Sequence, residues 1–429
     1  EGPELAPSEP FAGARFGTVV SLCGARGIVG SPLHGPTGSG KAYLLEATEP
    51  SWSVGATLES VFPQPASQLG SSASCFNSRF LVGAPGERLG GTTSGAGFLF
   101  GLDGSQQDRF STEGTETNTS AFGSAGATTE NYAMVGASLH SHLGRPATGA
   151  VHLFRREAAG WVLADLFWSP NPSDYGQFGA AVAMTPNWAA IGSGSGPIVV
   201  LSRNGGQWSV TGQIEGLPGT DFNSTLVAQG DLLFVGVPSE AADGGAVYVY
   251  QVVDGEPQLV QRLTSPAPFE YFGGAIAATA QDLLVGQSGR NWSFRRSGGV
   301  WGTPAELTAI DPGIDFVPIS VAIEGDVALV GHHAYGQLSG RVYVFKRSGS
   351  TWNQIQTLTP SVPESSFAFG YRVGLSGGFA YVSMIHEQPG PDGVIEVFRT
   401  QEGTWQRAQR RRPIELLDLH ADCQLIDGN

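Results

Sequence analysis

The chain has 429 residues and a formal net charge of −15, although only 14% of its residues are charged. Its 62 glycines and 41% hydrophobic residues favour many short strands joined by tight turns, and they exclude a disordered chain. The negative charge argues against nucleic acid as a partner, because phosphate binding needs clustered lysine and arginine. No apolar run approaches the length of a membrane-spanning helix, so no membrane span is predicted.

A phrase of the form Phe-Gly-x-x-x-Ala recurs along the chain at intervals of about fifty residues. Each copy is followed by a short turn and an apolar run that mostly ends in Val-Gly, then by a loop and a run ending in Leu, Phe or Tyr. A fourth segment opens with tryptophan in six of the copies. The eight copies begin at Phe16, Leu69, Phe122, Phe178, Phe222, Phe272, Phe316 and Phe369.

The segments within each repeat are short, rich in Val, Ile, Phe and Tyr, and bounded by Gly, Asn, Asp or Pro, which predicts strands. Four antiparallel strands per repeat, arranged radially, predict an all-β propeller of eight four-stranded blades, with seven blades as the alternative. One blade cannot bury both faces of its sheet, so neighbouring blades must cover them. The predicted boundaries are an N-terminal extension over 1–10, the propeller over 11–408 and a C-terminal tail over 409–429.

Four groups of residues show the repeat most clearly: Phe16-Gly17 with Gly30-Ser-Pro32, Leu69-Gly70 with Gly83-Ala-Pro85, Phe222 with Gly236-Val-Pro238, and Gly245-Ala-Val-Tyr-Val-Tyr250. Together they resemble the FG-GAP family, the propeller type also found in integrin α subunits. Many members of that family bind calcium through a DxDxDG loop between the first two strands. The turns here, Gly24-Ala-Arg26 and Asn77-Ser-Arg79, lack that loop, so the chain resembles a short-turn variant in which calcium is not expected.

Once the repeats are aligned, one position in the loop between the second and third strands is polar in most copies. It lies four residues past the glycine that ends the second strand, and it holds His34, Glu87, His140, Glu240, Arg290 and Tyr335. His142, His332, His333 and His386 lie in equivalent loops, so six of the eight histidines are predicted on one face of the disc. Imidazole with carboxylate suits Zn, Cu or Fe, and the alternative is a polar rim of exposed loops.

The sequence therefore gives two sets of candidate site residues and no catalytic residue. No HExxH helix occurs, and no nucleophile elbow of the GxSxG type, which is a strand-to-helix turn, is predicted in this all-strand chain. The predicted ligand-binding residues are Tyr335, Glu87, Glu240 and Arg290. The predicted metal ligands are His34, His140, His332, His333 and His386. Within that set, His34, His332, His333 and His386 are the most compact group because their blades are neighbours.

Two further residue types have a structural and a functional interpretation. The tryptophans at the start of the fourth segments favour packing between blades over sugar stacking. The three cysteines permit at most one internal disulfide, and a bond between Cys23 and Cys423 near the ring closure is one candidate, the alternative being an unpaired cysteine.

These observations predict an extracytoplasmic binding or interaction protein that is secreted, periplasmic or at the cell surface. We expect a monomer that binds a protein or glycan ligand through the face bearing the histidine-rich loops. Two alternatives stay open at this point. One is a metal-dependent enzyme with its site at the mouth of the propeller channel, and the other is a structural module of a surface assembly.

Overall fold

A computed structural model of the chain contains strands and turns, and the part that it describes has no helix. The all-β prediction is thereby confirmed. No helix in these described ranges has the length and apolar character needed to cross a membrane. The described residues are 4–5, 11–23, 26–48, 51–60, 63–76, 79–89, 92–112, 120–194, 196–215, 225–240, 244–266, 271–310, 320–334, 339–361, 367–386, 393–401 and 403–408.

Eight sheets of at least four antiparallel strands follow one another along the chain, and we call them blades 1 to 8. The chain starts with β1 (Glu4–Leu5). Blade 1 comprises β2 (Val20–Cys23), β3 (Arg26–Ser31), β4 (Lys41–Thr48) and β5 (Ser51–Leu58). Blade 2 comprises β6 (Ser72–Phe76), β7 (Arg79–Ala84), an extra hairpin of β8 (Arg88–Leu89) and β9 (Thr92–Thr93), β10 (Ala96–Gly101) and β11 (Gln106–Phe110).

The next three blades each have four strands. Blade 3 comprises β12 (Phe122–Thr128), β13 (Tyr132–Ala137), β14 (Ala150–Glu157) and β15 (Gly160–Trp168). Blade 4 comprises β16 (Ala181–Met184), β17 (Trp188–Gly192), β18 (Ile198–Asn204) and β19 (Gln207–Ile214). Blade 5 comprises β20 (Thr225–Gln229), β21 (Leu232–Val237), β22 (Ala246–Val253) and β23 (Glu256–Thr264).

The last three blades complete the series, and in blade 6 the outer strand is split in two. Blade 6 comprises β24 (Ala275–Ala278), β25 (Asp282–Gln287), β26 (Arg290–Ser297), β27 (Val300–Trp301) and β28 (Ala305–Glu306). Blade 7 comprises β29 (Ser320–Glu324), β30 (Val327–His332), β31 (Arg341–Ser348) and β32 (Thr351–Leu358). Blade 8 comprises β33 (Phe367–Ser376), β34 (Phe379–His386), β35 (Val394–Gln401) and β36 (Thr404–Arg407).

The blades form a closed ring, because the first strand of each blade packs beside the first strand of the next. This contact runs from β2 and β6 in blades 1 and 2 around to β29 and β33 in blades 7 and 8, and β33 then packs beside β2. The count of eight blades is thus confirmed over the alternative of seven. At the closure, β1 pairs with β35 on the edge that β36 also occupies, with Glu4 opposite Glu396.

The repeated Phe-Gly phrase joins each blade to the one before it. The aromatic or leucine residue is fully buried wherever the structure describes it, at Phe16, Leu69, Phe122, Phe178, Phe272 and Phe369. The glycine that follows has a positive φ, and at five of these junctions its carbonyl oxygen lies against the glycine that ends the second strand of the preceding blade. A β-carbon at Gly83 would overlap the carbonyl oxygen of Gly123, and the pairs Gly136 with Gly179 and Gly331 with Gly370 are equally close. Phe222 and Phe316 lie outside the described residues.

The outer strand of six blades carries a register shift at the same place. In blades 1 to 5 and blade 7, one extra residue on the fourth strand interrupts its pairing with the third strand, between Leu153 and Phe154 in blade 3 and between Val344 and Phe345 in blade 7. Such a bulge increases the local twist and leaves the extra residue out of the ladder. The exposed rim of the ring is therefore kinked rather than straight.

The fourth-strand tryptophans pack between blades, as the sequence predicts. Trp208, Trp301, Trp352 and Trp405 are all buried, and the side chain of Trp52 lies outside the described residues. The Gln356 Nε2 atom donates a hydrogen bond of 2.6 Å to the carbonyl oxygen of Trp405, and the Trp405 amide donates one of 2.8 Å to Gln356 Oε1. The side chain of Gln356 thus bonds both the N–H and the C=O group of Trp405 across the gap between blades 7 and 8.

A disulfide links the innermost strands of blades 1 and 2. Cys23 ends β2 and Cys75 lies in β6, and their Cα atoms are 6.2 Å apart. The candidate pairing of Cys23 with Cys423 is therefore wrong, and Cys423 lies outside the described residues. The two bonded cysteines are 52 residues apart, which is one repeat, so equivalent ends of neighbouring first strands bring them together.

We predict that Gly83→Ala destabilises the ring by about 3 kcal/mol or more, because a methyl group there must displace the backbone of the next blade. Gly349→Ala is the matched control, since Gly349 has a φ of +62° but faces open space. Its cost should be about 1 kcal/mol, from the left-handed backbone alone. Denaturant unfolding measures both variants, and equal losses for the two would contradict the proposed role of the glycine contact.

Candidate functional site

The antiparallel order of the strands gives the ring two different faces. The loops between second and third strands and the connections between blades emerge at one end, which we call the loop face. The turns between first and second strands and between third and fourth strands lie at the other end, which we call the hairpin face. The sequence-predicted site residues that the structure describes belong to the loop face.

Four of these residues occupy the same kind of turn, each in the loop of its own blade. The backbone N–H groups of His34, Glu87, His140 and Glu240 each donate to the carbonyl three residues earlier. Their own carbonyl oxygens accept a hydrogen bond from the glycine that precedes the third strand. All four side chains are buried, so they do not form an exposed polar rim.

Each buried side chain points into its own blade. His34 Nδ1 lies 3.3 Å from the hydroxyl of Tyr43 on the third strand of blade 1. Glu240 accepts a hydrogen bond of 3.0 Å from the hydroxyl of Tyr248 and one of 3.1 Å from Arg262 Nε, both within blade 5. These contacts fix the loops to the third and fourth strands, which is a structural task.

Glu87 in blade 2 is a buried carboxylate whose negative charge is only partly neutralised by the described residues around it. Its nearest described cation is Arg109, with Nη2 at 3.5 Å from Oε1, and its Oε2 atom has no hydrogen-bond partner among the described residues. Burial raises the pKa of the Glu87 carboxyl, while Arg109 opposes that shift. A carboxyl group with a raised pKa holds its proton to a higher pH than an exposed one does.

The remaining predicted ligand-binding residues differ from this pattern. Arg290 begins the third strand of blade 6 directly and forms an ion pair of 3.3 Å with Glu306. Tyr335 lies outside the described residues. Of the predicted ligand-binding residues, Glu87 and Glu240 therefore occupy equivalent buried positions in blades 2 and 5. Arg290 lies on a strand of blade 6.

The predicted metal ligands are distributed over separate blades. His332 packs beside Tyr343 with ring centres 6.1 Å apart, and His333 packs beside Tyr371 at 5.4 Å. Among the residues that the structure describes, no group of three or more His, Cys, Asp or Glu side chains is arranged to hold a metal ion. The side chain of His386 lies outside that description, so the site formed by His34, His332, His333 and His386 stays a prediction.

His152 is a titratable residue near this face that the sequence analysis left out. It occupies the third-strand position that holds Tyr43, Phe98 and Tyr248 in other blades, and its ring packs edge-on against Phe122 at 5.0 Å. Burial, with a smaller contribution from His140, lowers the pKa of His152 to about 3. Alignment of the third strands, rather than of the loops, was the signal that could have found it.

The loop of blade 3 runs over residues 138–149, between β13 and β14. His142 and Arg145 exchange backbone hydrogen bonds of 3.2 and 3.0 Å, which closes a two-residue turn over Leu143 and Gly144. Both turn residues have positive φ, +54° and +75°, which is the type I′ pattern that favours Asn-Gly. The Leu143 side chain at the tip is 75% exposed.

The connection from blade 3 to blade 4 is tied to this loop. The Tyr175 amide donates a hydrogen bond of 2.8 Å to the carbonyl oxygen of Pro146, and Arg145 Nη1 lies 3.2 Å from Asp174 Oδ1. Tyr175 is 67% exposed and has a φ of +59°, at the repeat position that Gly13 and Ala66 occupy elsewhere. Two large exposed side chains therefore lie on the same loop pair, each on left-handed backbone.

Beneath the turn, two aromatic side chains form a stack. The ring of His142 lies on the indole of Trp168, with centres 3.9 Å apart and planes 15° from parallel. His140 packs against the same indole at 4.8 Å. We call the surface formed by His142, Leu143, Trp168 and Tyr175 the blade 3/4 patch.

Comparison with known proteins adds no family to these observations. No protein-family model matches the sequence, and no curated protein matches it. The eight-bladed propeller is confirmed by the structure, whereas membership of the FG-GAP family stays a prediction carried by the repeats.

We predict that His152 makes the fold sensitive to acid. The unfolded chain binds a proton at this residue below its ordinary pKa of about 6.5, while the folded protein does not until about pH 3. The free energy of unfolding should therefore fall as pH decreases through this window, by about 2 kcal/mol at pH 5 from this residue alone. His152→Phe, which copies the residue found at Phe98, should remove that part of the pH dependence.

Denaturant unfolding of both proteins at pH 7.5 and pH 5 measures the difference. The readout is the change between the two pH values, so a uniform cost of repacking phenylalanine does not affect it. An identical pH dependence in the parent and the variant would show that His152 is not the buried neutral group described here.

Proposed function

We propose that this chain is an extracytoplasmic binding protein that contacts a protein or glycan ligand through its loop face, centred on the blade 3/4 patch. The observation that carries the proposal is the pair of large exposed side chains, Leu143 and Tyr175, on left-handed backbone. The resemblance to FG-GAP propellers, which often bind through this face, supports the same choice.

The left-handed backbone at Tyr175 belongs to the repeat, since Gly13 and Ala66 share it, but the fold does not require a large side chain there or at Leu143. A left-handed conformation costs a non-glycine residue roughly 1–2 kcal/mol, and asparagine or glycine adopts it more readily. Burial does not offset that cost, because both side chains face solvent. Strain of this kind at exposed positions is a pointer to a functional contact. Large side chains at these positions are explained if they contact a partner.

The disulfide supports an extracytoplasmic location. Cys23 and Cys75 bond across the first two blades, and such bonds persist in secreted, periplasmic and cell-surface compartments, whereas cytosolic reductants keep thiols reduced. The rigid ring supports a binding role, since loops held on a fixed scaffold present their side chains in a defined arrangement.

Replacement of the exposed residues should stabilise the fold. We expect Leu143→Asn and Tyr175→Asn each to raise the free energy of unfolding by about 0.5–1 kcal/mol, because asparagine tolerates the left-handed backbone. Leu163→Asn is the control, since Leu163 is also exposed but lies on the extended backbone of β15, where asparagine is disfavoured. A loss of stability in the two loop variants would assign Leu143 and Tyr175 a structural role.

The binding role itself is tested with a glycan array and a displayed-peptide library. Ligands selected by the parent protein should be lost by the double variant Leu143→Asn, Tyr175→Asn and retained by Leu163→Asn. Selected ligands that bind all three proteins equally, or no selected ligand of either class, would contradict the proposed contact surface.

A further inference from the structure

The hairpin face carries a cavity that the loop-face function does not use. It has a volume of about 890 Å³ and lies between the turns of blades 4 and 5, extending inward to Phe76 and Met184 at the ends of the first strands of blades 2 and 4. Trp188, Val252, Asp231 and Asp254 line it further out. This volume is within the range of ordinary ligand pockets.

In two other blades, an arginine fills the equivalent gap between neighbouring blades. Arg203 of blade 4 and Arg347 of blade 7 occupy the same third-strand position, because each backbone amide donates to the turn between the first and second strands of its own blade. The guanidinium of Arg203 lies over the ring of Tyr132 in blade 3, with Cζ 5.6 Å from the ring centre. That of Arg347 forms an ion pair with Asp282 in blade 6.

Blade 5 has valine at this position. The Val252 amide donates a hydrogen bond of 2.8 Å to the carbonyl oxygen of Asp231, the same bond that the arginines make in their blades. The residue it faces in blade 4 is Trp188, which is equivalent to Tyr132 and Asp282. Because valine is shorter than arginine, it does not fill the gap between blades 4 and 5, and the unfilled space forms the cavity.

The cavity is lined by the same kinds of group that the arginines contact in blades 4 and 7, namely an aromatic ring and carboxylates. Trp188 supplies an aromatic ring held in place by a hydrogen bond of 2.9 Å from its Nε1 atom to the carbonyl oxygen of Gly230. Asp231 and Asp254 supply two exposed carboxylates on the blade 5 side. An aromatic face combined with carboxylates attracts a guanidinium group by cation–π and ionic interactions.

The positive charge of Arg203, on the opposite wall of the cavity, determines on which side a cationic ligand group binds. Arg203 lies on the blade 4 side, where its Nε atom donates a hydrogen bond of 2.9 Å to the carbonyl oxygen of Pro186 and its Nη2 atom lies 3.3 Å from Asn187 Oδ1. These contacts and Tyr132 hold Arg203 in its own gap. A cation in the cavity is therefore drawn towards Asp231 and Asp254, while the apolar stem of its side chain can pack on Phe76 and Met184.

We propose that the cavity binds an arginine side chain of a peptide partner, which takes the place of the arginine that blade 5 lacks. The cavity volume leaves space for the residues that flank the arginine. The net charge of −15 favours the approach of a basic segment. This surface lies on the opposite face from the blade 3/4 patch, so the two sites are independent.

The test uses the short peptide acetyl-Gly-Arg-Gly-amide in isothermal titration at low salt. The same peptide with citrulline in place of arginine keeps the shape and loses the charge, and we expect its binding to be at least about tenfold weaker. A lysine peptide should bind more weakly than the arginine peptide, because ammonium lacks the planar guanidinium face. Equal binding of the arginine and citrulline peptides overturns the proposal.

The decisive variant is Val252→Arg, which restores the arginine in the chain itself and should reduce binding of the arginine peptide by at least about tenfold. Val253→Arg is its control: it adds the same charge one residue away, on a side chain that alternation along β22 directs to the other face of the blade. Equal binding by the two variants overturns the proposal.

A second variant keeps the proposal testable if Val252→Arg fails to fold. The double change Asp231→Asn, Asp254→Asn removes both carboxylates at exposed turn positions and should weaken binding of the arginine peptide by about tenfold at low salt. Asp326→Asn is the control in blade 7, where Arg347 already fills the gap. An unchanged affinity in the double variant overturns the proposal.

Discussion

The ring depends on a backbone contact that leaves no space for a side chain. At five of the described junctions, the carbonyl oxygen of the glycine in the Phe-Gly phrase lies against the glycine that ends the second strand of the preceding blade, as the Gly123 oxygen does against Gly83. This contact sets the separation of neighbouring blades, and the buried phenylalanine fills the space beside it. At the closure, Ser383 replaces the glycine and Gly17 packs against it, so blades 8 and 1 join in a related way.

The fold was predictable because the repeated residues are the ones that this contact requires. Phenylalanine followed by glycine recurs in most of the copies for reasons of packing and backbone approach, so the spacing of the copies gives the number of blades without knowledge of the structure. The pairing of Cys23 with Cys75 follows from the same periodicity, since equivalent ends of adjacent first strands lie close together. That clue was in the sequence, although the candidate partner considered for Cys23 was Cys423.

The site was less predictable, because alignment of the repeats gives the position of a residue along the backbone and not the direction of its side chain. His34, Glu87 and Glu240 were placed on the correct loops, but the local turn directs them inward to the third strand of their own blade. The strained backbone of Leu143 and Tyr175 depends on φ values that the residue types do not reveal. The missing arginine at Val252 becomes visible only when the contacts of Arg203 and Arg347 are compared.

The bulges in the outer strands affect whether separate molecules can associate through their edge strands at high concentration. A straight edge strand offers an in-register row of N–H and C=O groups onto which a second molecule can add its own edge. Here the shift in six blades, at Leu153 and Phe154 in blade 3 for example, breaks that row near its middle. Sheet extension from ring to ring is thereby blocked, and exposed side chains such as Leu163 remain on an edge that resists fibre growth.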